Sequence, residues 1–433
     1  MRISMIDLPH RHVRVTRGPT VVRHGRLPRR RTAISALKLV SGVIVVALIS
    51  TTFVSAYAVW DVSRSVKKGV QLSALPGHTA APQDIPDVGA IDGGVNLLLV
   101  GTDSRSGLGG VYNNPAEQDA STGQGNNDVT MLLHIAQDHK SMMVVSFPRD
   151  LMVSIPECPG LKGGGTSGSS FAMFNTALSR GGLPCVVLTV EKLTGVQIPF
   201  AATVNFNGVS AMSNAVGGVE VCLATPVSDG YTNPPLHLPA GKNTLVGDQA
   251  LSFLRSRHGV GDGSDLGRIS NQQVFLSALA RKIVSGGVLS NPVQLYTLAK
   301  AVVANVTPSQ TLTNPMTLVQ IALALKDTGL ENMVFLQYPT VADPDNANRV
   351  VPQSSAAKAV NQALVQDQPV KLTGTTGRGA EDPNPTPTPA PAATGAATQQ
   401  PATSTPTGGG SVELPSNVTG QTAAQQTCTR GNN

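Results

Sequence analysis

Val95-Asn-Leu-Leu-Leu-Val-Gly101 is an almost wholly apolar run that delivers Thr102-Asp103-Ser104-Arg105 at its C-terminal end. Its length and lack of alternation predict a short strand buried on both faces, which requires helices above and below the sheet that holds it. A loop rich in Gly and Asn, 106–127, leads to Asp128 and a second apolar strand, 129–135. A hairpin-length connection through Asp138-His139-Lys140 leads to a third, 141–147, which ends in Pro148-Arg149-Asp150. Asp103, Asp128, Arg149 and Asp150 therefore fall at strand ends, where open α/β sheets bind ligands.

Strands and helices alternate through the rest of this region. Residues 171–182 predict a helix with Gly181 past its end, and 185–193 another. Strands at 200–206 and 219–223 flank a helix at 208–215. Further helices are expected at 292–303, 316–325 and 354–364, with a strand at 333–338. The pattern predicts an α/β fold, a central mixed β-sheet sandwiched by helices, preceded by one transmembrane helix.

A second chemistry-bearing stretch, Leu254-Arg-Ser-Arg-His-Gly-Val-Gly-Asp-Gly-Ser-Asp-Leu-Gly-Arg-Ile-Ser-Asn-Gln-Gln273, gathers three arginines in a charge-poor sequence. If 251–258 ends a strand, Arg255 and Arg257 point to one face. Beyond Gly263 the apolar period becomes helical, with Ser264 as N-cap and with Asp265, Arg268 and Gln272 on the polar side. Three forked donors beside a helix N-terminus suit a phosphate or diphosphate better than a single carboxylate. The same residue types also fit a solvated surface ion-pair cluster using Asp262 and Asp265. Two aspartates at strand ends with no Cys or His partner favour a hard cation, Mg²⁺ above Zn²⁺.

The 433-residue chain has a formal charge of +6, but its first 38 residues carry +9, ten basic groups against Asp7, which leaves the remainder mildly acidic. That balance argues against nucleic-acid binding as the main activity. The arm ends at a 22-residue uncharged run, 39–60. As a helix it spans about 33 Å, the thickness of a bilayer core. Arginines on its N-terminal side place the arm (1–38) in the cytoplasm and all that follows outside. A cleaved signal peptide ending near Ala56-Tyr57-Ala58 is the competing reading. Residues 61–92 are expected to be a spacer, 93–366 one extracytoplasmic domain, and 367–433 a Pro/Thr/Ala-rich disordered tail. Four cysteines without a CxxC pair make zinc improbable and structural disulfides reasonable in an exported domain; Cys158 with Cys185 is the expected pair, bracketing a Gly/Ser-rich insert. Phosphate-loop and hydrolase-elbow motifs are absent.

These motifs together, Val-Gly-Thr-Asp-Ser-Arg, Asp-Val-Thr-Met-Leu-Leu-His-Ile, Phe-Pro-Arg-Asp, the segment around Asn175, Gly217-Gly-Val-Glu-Val-Cys222, and Arg-Ser-Arg-His followed by Gly-Asp-Gly-Ser-Asp-Leu-Gly-Arg, resemble the LytR-CpsA-Psr family of bacterial cell-envelope proteins in its actinobacterial form. The resemblance spans roughly 94–285. It implies a phosphotransferase that moves a glycopolymer from a polyprenyl-diphosphate carrier to a hydroxyl of peptidoglycan, using Mg²⁺ or alternatively Mn²⁺. Carried onto matching positions, Asp103 and Asp128 would hold the metal. Arg105, Arg149, Arg255, Arg257 and Arg268 would grip the diphosphate, Gln272 would add a polar contact, and an apolar tunnel would take the lipid. Three positions depart from the family's usual residues: Asn126 and Asn271 stand where basic residues are common, and Met173 where a Lys is. A non-catalytic protein that binds prenyl-linked polymer is the alternative. A transcriptional attenuator is a weaker one, since an arm broken by Pro9, Pro19 and Pro28 leaves no room for a helix-turn-helix.

Overall fold

The structure, a computed structural model, describes residues 29–75, 94–105, 123–161, 163–288, 291–383 and 411–432. The chain divides into two compact units, 1–57 and 58–433. Most of the basic arm, the spacer from 76 to 93 and residues 384–410 of the Pro-rich tail lie outside the described residues.

Helix α1, Arg29–Ser65, covers the whole uncharged run. Its apolar side chains stand exposed, Leu39 at 70% and Phe53 at 71%. Among the described residues no helix is long and apolar enough to cross a membrane; side chains at 47, 51, 52, 54 and 55, inside that run, are outside the described set. A helix is thus found where one was expected, and a membrane span is not shown by it.

The second unit is built on a seven-stranded mixed sheet. Strand β1, Val95–Thr102, lies between β2, Asn127–Ile135, antiparallel to it, and β4, Phe200–Val204, parallel to it. Beyond β2 comes β3, Met142–Phe147, antiparallel. Because successive side chains alternate across a strand, β1 serves two cores at once. Leu98 and Val100 join Leu132 and Val145 under Val186 and Val190, on the helix α2, Ala177–Thr194. Leu97 joins Leu133 and Val144 on the other face. Each fully buried leucine contributes about 2 kcal/mol. Further along, β5, Val219–Leu223, and β6, Gly241–Leu245, pair antiparallel in a second sheet. The first sheet is extended by β7, Val306–Pro308, on β4 and by β8, Met333–Gln337, parallel to β3.

Four expectations need correction. The stretch 251–258 is not a strand: helix α4, Asp248–Arg255, occupies it after α3, Phe206–Ala215. The i, i+3 spacing of Ala250 with Phe253 and of Leu251 with Leu254 is helical, and the arginine pair disguised it. The helix expected from 171 begins later. Ser169–Met173 is a strand paired with Met152–Ile155, and the two predicted helices are one element, α2, broken at Gly181–Gly182, where Gly182 takes φ 68°.

The spacer is partly folded: Val70 hydrogen-bonds the backbone of Pro308 and Gln310, and Val70, Leu72 and Leu75 pack on the core. These apolar residues make a partly buried segment that the Ser- and Gly-rich composition hid.

The tail is the fourth correction. Ala380–Glu381 forms β9, Gly420–Thr422 forms β10 at the edge of β8, and Cys428–Thr429 forms β11, parallel to β5 and antiparallel to β9. What holds this polar segment is hydrogen bonding more than apolar area. The fully buried Gln421 donates to Gln273 O (3.1 Å) and Ser277 Oγ (2.7 Å), and a disulfide joins Cys222 to Cys428. A second disulfide joins Cys158 to Cys185.

Candidate active site

The end of β1 and the start of β2 are out of step by one residue. Gly101 faces Val129 but Thr102 faces Asn127, so Asp128 is the extra residue of a β-bulge. Bulges re-aim side chains and are common beside functional sites. Asp103, one residue past β1, is fixed by its neighbour across the gap: Asn126 N–H donates to its Oδ1 at 2.6 Å, and its own N–H donates to Asn126 O at 3.2 Å. Gly125 must be glycine, since it takes φ 68° and a Cβ there would collide with Asp103 Oδ1.

Four arginines line one cavity with Asp128, and two of them touch it. Arg149, just beyond β3, donates from Nη1 to Asp128 Oδ1 at 3.0 Å, and its backbone N–H donates to Asp265 Oδ2 at 3.1 Å. Burial works against its charge, but Asp128, Asp150 and Asp265 outweigh burial and hold its pKa above the ordinary guanidinium value.

Helix α5, Asp265–Val284, starts on the expected cap, Ser264 Oγ accepting from Gly267 N–H at 3.2 Å. Its first turn carries a buried pair: Arg268 Nη2 lies 2.6 Å from Asp265 Oδ1 and donates to Asp128 O at 2.7 Å, tying α5 to β2. Arg255, at the end of α4, lies over the Phe206 ring, 4.2 Å from its centroid. Arg257 makes no ion pair among the described residues. Its pKa is lowered, first by burial and next by the nearby Arg149, with Arg268 adding to the effect.

The buried Nε atoms of Arg149, Arg257 and Arg268 have no hydrogen-bond partner among the described residues. Buried donors left unmade are expensive, so three on one site call for a ligand rich in acceptor oxygens.

These groups open onto one cavity of about 350 Å³. Asp128, Arg149, Arg255, Arg257, Arg268 and Gln272 line its polar part, and Leu99, Met131, Val209, Met212 and Leu276 its apolar part. Leu99 follows the alternation of Leu97 but is 36% exposed, because past Leu97 that face of β1 leaves the core and becomes cavity wall. Asp103 and Arg105 are not in the wall formed by the described residues, although Thr102 is.

The model of the LytR_cpsA_psr family matches residues 63–366. The chain belongs to the LytR-CpsA-Psr family. It is 31% identical over 279 residues to the cell wall biosynthesis protein LcpA of Corynebacterium glutamicum, covering 60% of this chain and 52% of LcpA. It is 30% identical over 341 residues to the probable cell wall biosynthesis protein LcpB of the same organism, covering 78% of this chain and 74% of LcpB. The chain thus spans about half the length of the first relative. A crystal structure of a Streptococcus agalactiae protein shares the fold at a TM-score of 0.50 and 22% identity, covering 63% of this chain and 87% of that one.

One of the family departures, Asn271, acquires a physical account in this LytR-CpsA-Psr protein. Asn271 is fully buried, donating to Phe253 O at 2.7 Å and accepting from Thr429 Oγ1 at 2.8 Å. Gln272 donates to Leu254 O at 2.9 Å. Both amides satisfy carbonyls at the C-terminal end of α4 that a helix leaves unpaired. Asn271 therefore fixes the arginine-bearing helix end, and Gln272, expected as a substrate contact, also spends its donor on that end. Asn126 holds Asp103 through its backbone, a role its side chain does not set. Nothing in the structure explains Met173.

Sequence reasoning missed Asp229, which organises the site from below. It is 3% exposed; Oδ2 accepts from Ser256 Oγ (2.7 Å), Arg257 N–H (3.2 Å) and Gly259 N–H (3.2 Å), and Oδ1 from Tyr231 N–H (3.0 Å). Burial would raise its pKa, but these bonds outweigh burial and lower it, so it stays ionised. The contact joins segments 27 or more residues apart, and a lone Asp before Gly-Tyr reads locally as a turn. Arg349, also missed, lies 3.6 Å from Asp150 Oδ1.

Among the described residues no three His, Cys, Asp or Glu side chains gather to hold a metal. Asp103 and Asp128 offer oxygen ligands alone. That donor set fits a hard cation only if phosphate oxygens complete its shell, the usual Mg²⁺ arrangement.

Proposed function

We propose that this protein is a membrane-anchored phosphotransferase that moves a glycopolymer from a polyprenyl-diphosphate carrier to a hydroxyl of peptidoglycan. The observation that carries this reading is a cavity with a hydrocarbon wall and four guanidinium groups in its lining, three of them with a buried Nε that has no hydrogen-bond partner among the described residues. A ligand with a long apolar tail and a multiply charged oxyanion head satisfies both halves. Relatives support the substrate class. One, 27% identical over 260 residues and covering 60% of this chain and 75% of the relative, is the polyisoprenyl-teichoic acid–peptidoglycan teichoic acid transferase TagU of Enterococcus faecalis.

In the transfer, the acceptor hydroxyl oxygen bonds to the sugar-bearing phosphorus and the bridging P–O bond breaks. The prenyl monophosphate leaves with the electron pair, and the hydroxyl proton is released. Arg149 and Arg268 are held by Asp128 and Asp265 before substrate arrives, so they stabilise the charge growing on the departing phosphate without reorganising, and Arg257 adds its charge beside them. Arg255 and Arg105 add positive charge from the α4 end and the β1 end. A Mg²⁺, or Mn²⁺, between Asp103 and Asp128 would neutralise phosphate charge and align the diphosphate. The uncharged run 39–60 would anchor the chain with its basic arm in the cytoplasm and the domain outside the cell membrane, a setting in which two disulfides persist.

The test is release of prenyl phosphate from a lipid-diphosphate glycan in the presence of peptidoglycan fragments. Release should match glycan attached, and EDTA or Asp103→Asn should abolish it. Tight donor binding with no release for any acceptor would leave a binding protein instead, and unchanged turnover in EDTA would remove the metal.

A further inference from the structure

At the rim of the cavity stands a side chain that neither the lipid nor the diphosphate requires. Tyr231 lines the cavity yet is 83% exposed, and its ring lies against that of His258, with centroids 4.4 Å apart and planes at 41°. An aromatic side chain so exposed at a polar mouth is unusual, since its apolar face gains by being covered.

The ring is also held in place. Val227–Asp229 and Leu236–Leu238 pair as a hairpin, and Tyr231 sits in its tip. Thr232 Oγ1 donates within that tip to Asp229 O (3.1 Å) and Pro234 O (2.9 Å), and Ser252 Oγ of α4 donates to Pro234 O (2.7 Å). Asp229 then binds the Tyr231 and Arg257 backbone N–H groups at once. One buried carboxylate therefore sets the distance between the aromatic rim and the diphosphate donors.

We infer that Tyr231, backed by His258, is a stacking platform for the first sugar attached to the diphosphate. The inference rests on the proposed substrate and deepens it. With the prenyl chain on the Leu99 and Met131 wall and the diphosphate at Arg257, the sugar would extend toward solvent, and Tyr231 and His258 are exposed rings lining that same cavity. A pyranose ring presents an apolar C–H face of the size of a phenol ring, and covering Tyr231 with it removes apolar surface of both from water. Because stacking reads shape more than hydroxyl pattern, this subsite would favour a sugar over none while tolerating different sugars.

The test compares two probes by titration calorimetry on the full chain: farnesyl diphosphate, and farnesyl diphosphate carrying one N-acetylglucosamine. The parent should bind the sugar-bearing probe more tightly. Tyr231→Ala should weaken that probe about fivefold to tenfold and change farnesyl diphosphate by less than about twofold, whereas Tyr231→Trp should keep the preference. The Tyr231 side chain is exposed, and an unchanged unfolding midpoint shows that its removal leaves the fold intact. If Tyr231→Ala weakens both probes equally or neither, the platform is refuted while the proposed function stands. If the parent binds neither probe, the proposed substrate itself fails and the platform with it.

Discussion

Arg257→Met and Arg268→Met should shift stability in opposite directions while both abolish donor binding. Arg268 and Asp265 are each 6% exposed at the side chain and 2.6 Å apart, and Arg268 also serves Asp128 O. Removing it leaves a buried carboxylate whose remaining donors come from Arg149, a loss of about 3–5 kcal/mol. Arg257 is the reverse case. Its charge is partly buried, faces Arg149 and Arg268, and has no carboxylate within ion-pair distance among the described residues. Methionine keeps most of the stem and drops the charge, a gain of about 0.5–2 kcal/mol of the kind found when a functional strain is relieved. The two variants should therefore differ by at least about 3.5 kcal/mol in urea unfolding, with equal slopes, while calorimetry shows no prenyl-diphosphate binding for either. If Arg257→Met unfolds as easily as Arg268→Met, Arg257 is a structural residue and the anion site loses its central donor. If it becomes more stable and still binds, the diphosphate lies elsewhere.

Replacing both Cys222 and Cys428 by Ser should lower stability by about 2–5 kcal/mol, read from unfolding midpoints with and without reductant, because the bond closes a separation of 206 residues. Burial pushes the Glu191 carboxyl up to about 7, against a backbone hydrogen bond from Ile198 N–H. A folded-state pKa above the unfolded one means that this contribution is full below about pH 4.5 and is lost as pH rises through about 7. Glu191→Gln should therefore flatten the decline in stability between pH 5 and 7.5 by about 2 kcal/mol, and an unchanged slope would show that Glu191 ionises freely. A reporter fused before Arg31 should be active only in the cytoplasm and one fused after Asp92 only outside; a soluble chain beginning near Val59 would show cleavage instead.

The strands β1 to β3 were legible because each is a continuous apolar run ended by charged or turn residues, and burial on two faces leaves just that trace. The start of α5 was legible through Ser264, a local capping signal. What escaped reading was either nonlocal or polar. The identity of α4 depended on eight residues ending in Arg255, with Arg257 just beyond them, too short for periodicity to outweigh a strand-like glance. Asp128 could be placed on its strand, but its role as the bulged residue comes from pairing with β1 across the unread loop. Asp229 and Gln421 act through hydrogen bonds to segments far along the chain, so neither leaves an apolar period to detect. Among the arginines, sequence placed all of them near one another and could not say that Arg268 is spent on Asp265 and Asp128 while Arg257 is held in reserve.

The last strands bear on how the molecule is made. Strand β10 completes one sheet and β11 is inserted between β5 and β9 in the other, and both come from residues beyond 419. During synthesis the edge of β8 and the flank of β5 stay open for more than eighty and two hundred residues respectively, and Asn271, which ties α5 to the end of α4, gains its bond from Thr429 only at the end of that interval. A chain shortened to residue 366 would keep every motif that identifies the family and would lose the Thr429 hydrogen bond that Asn271 accepts.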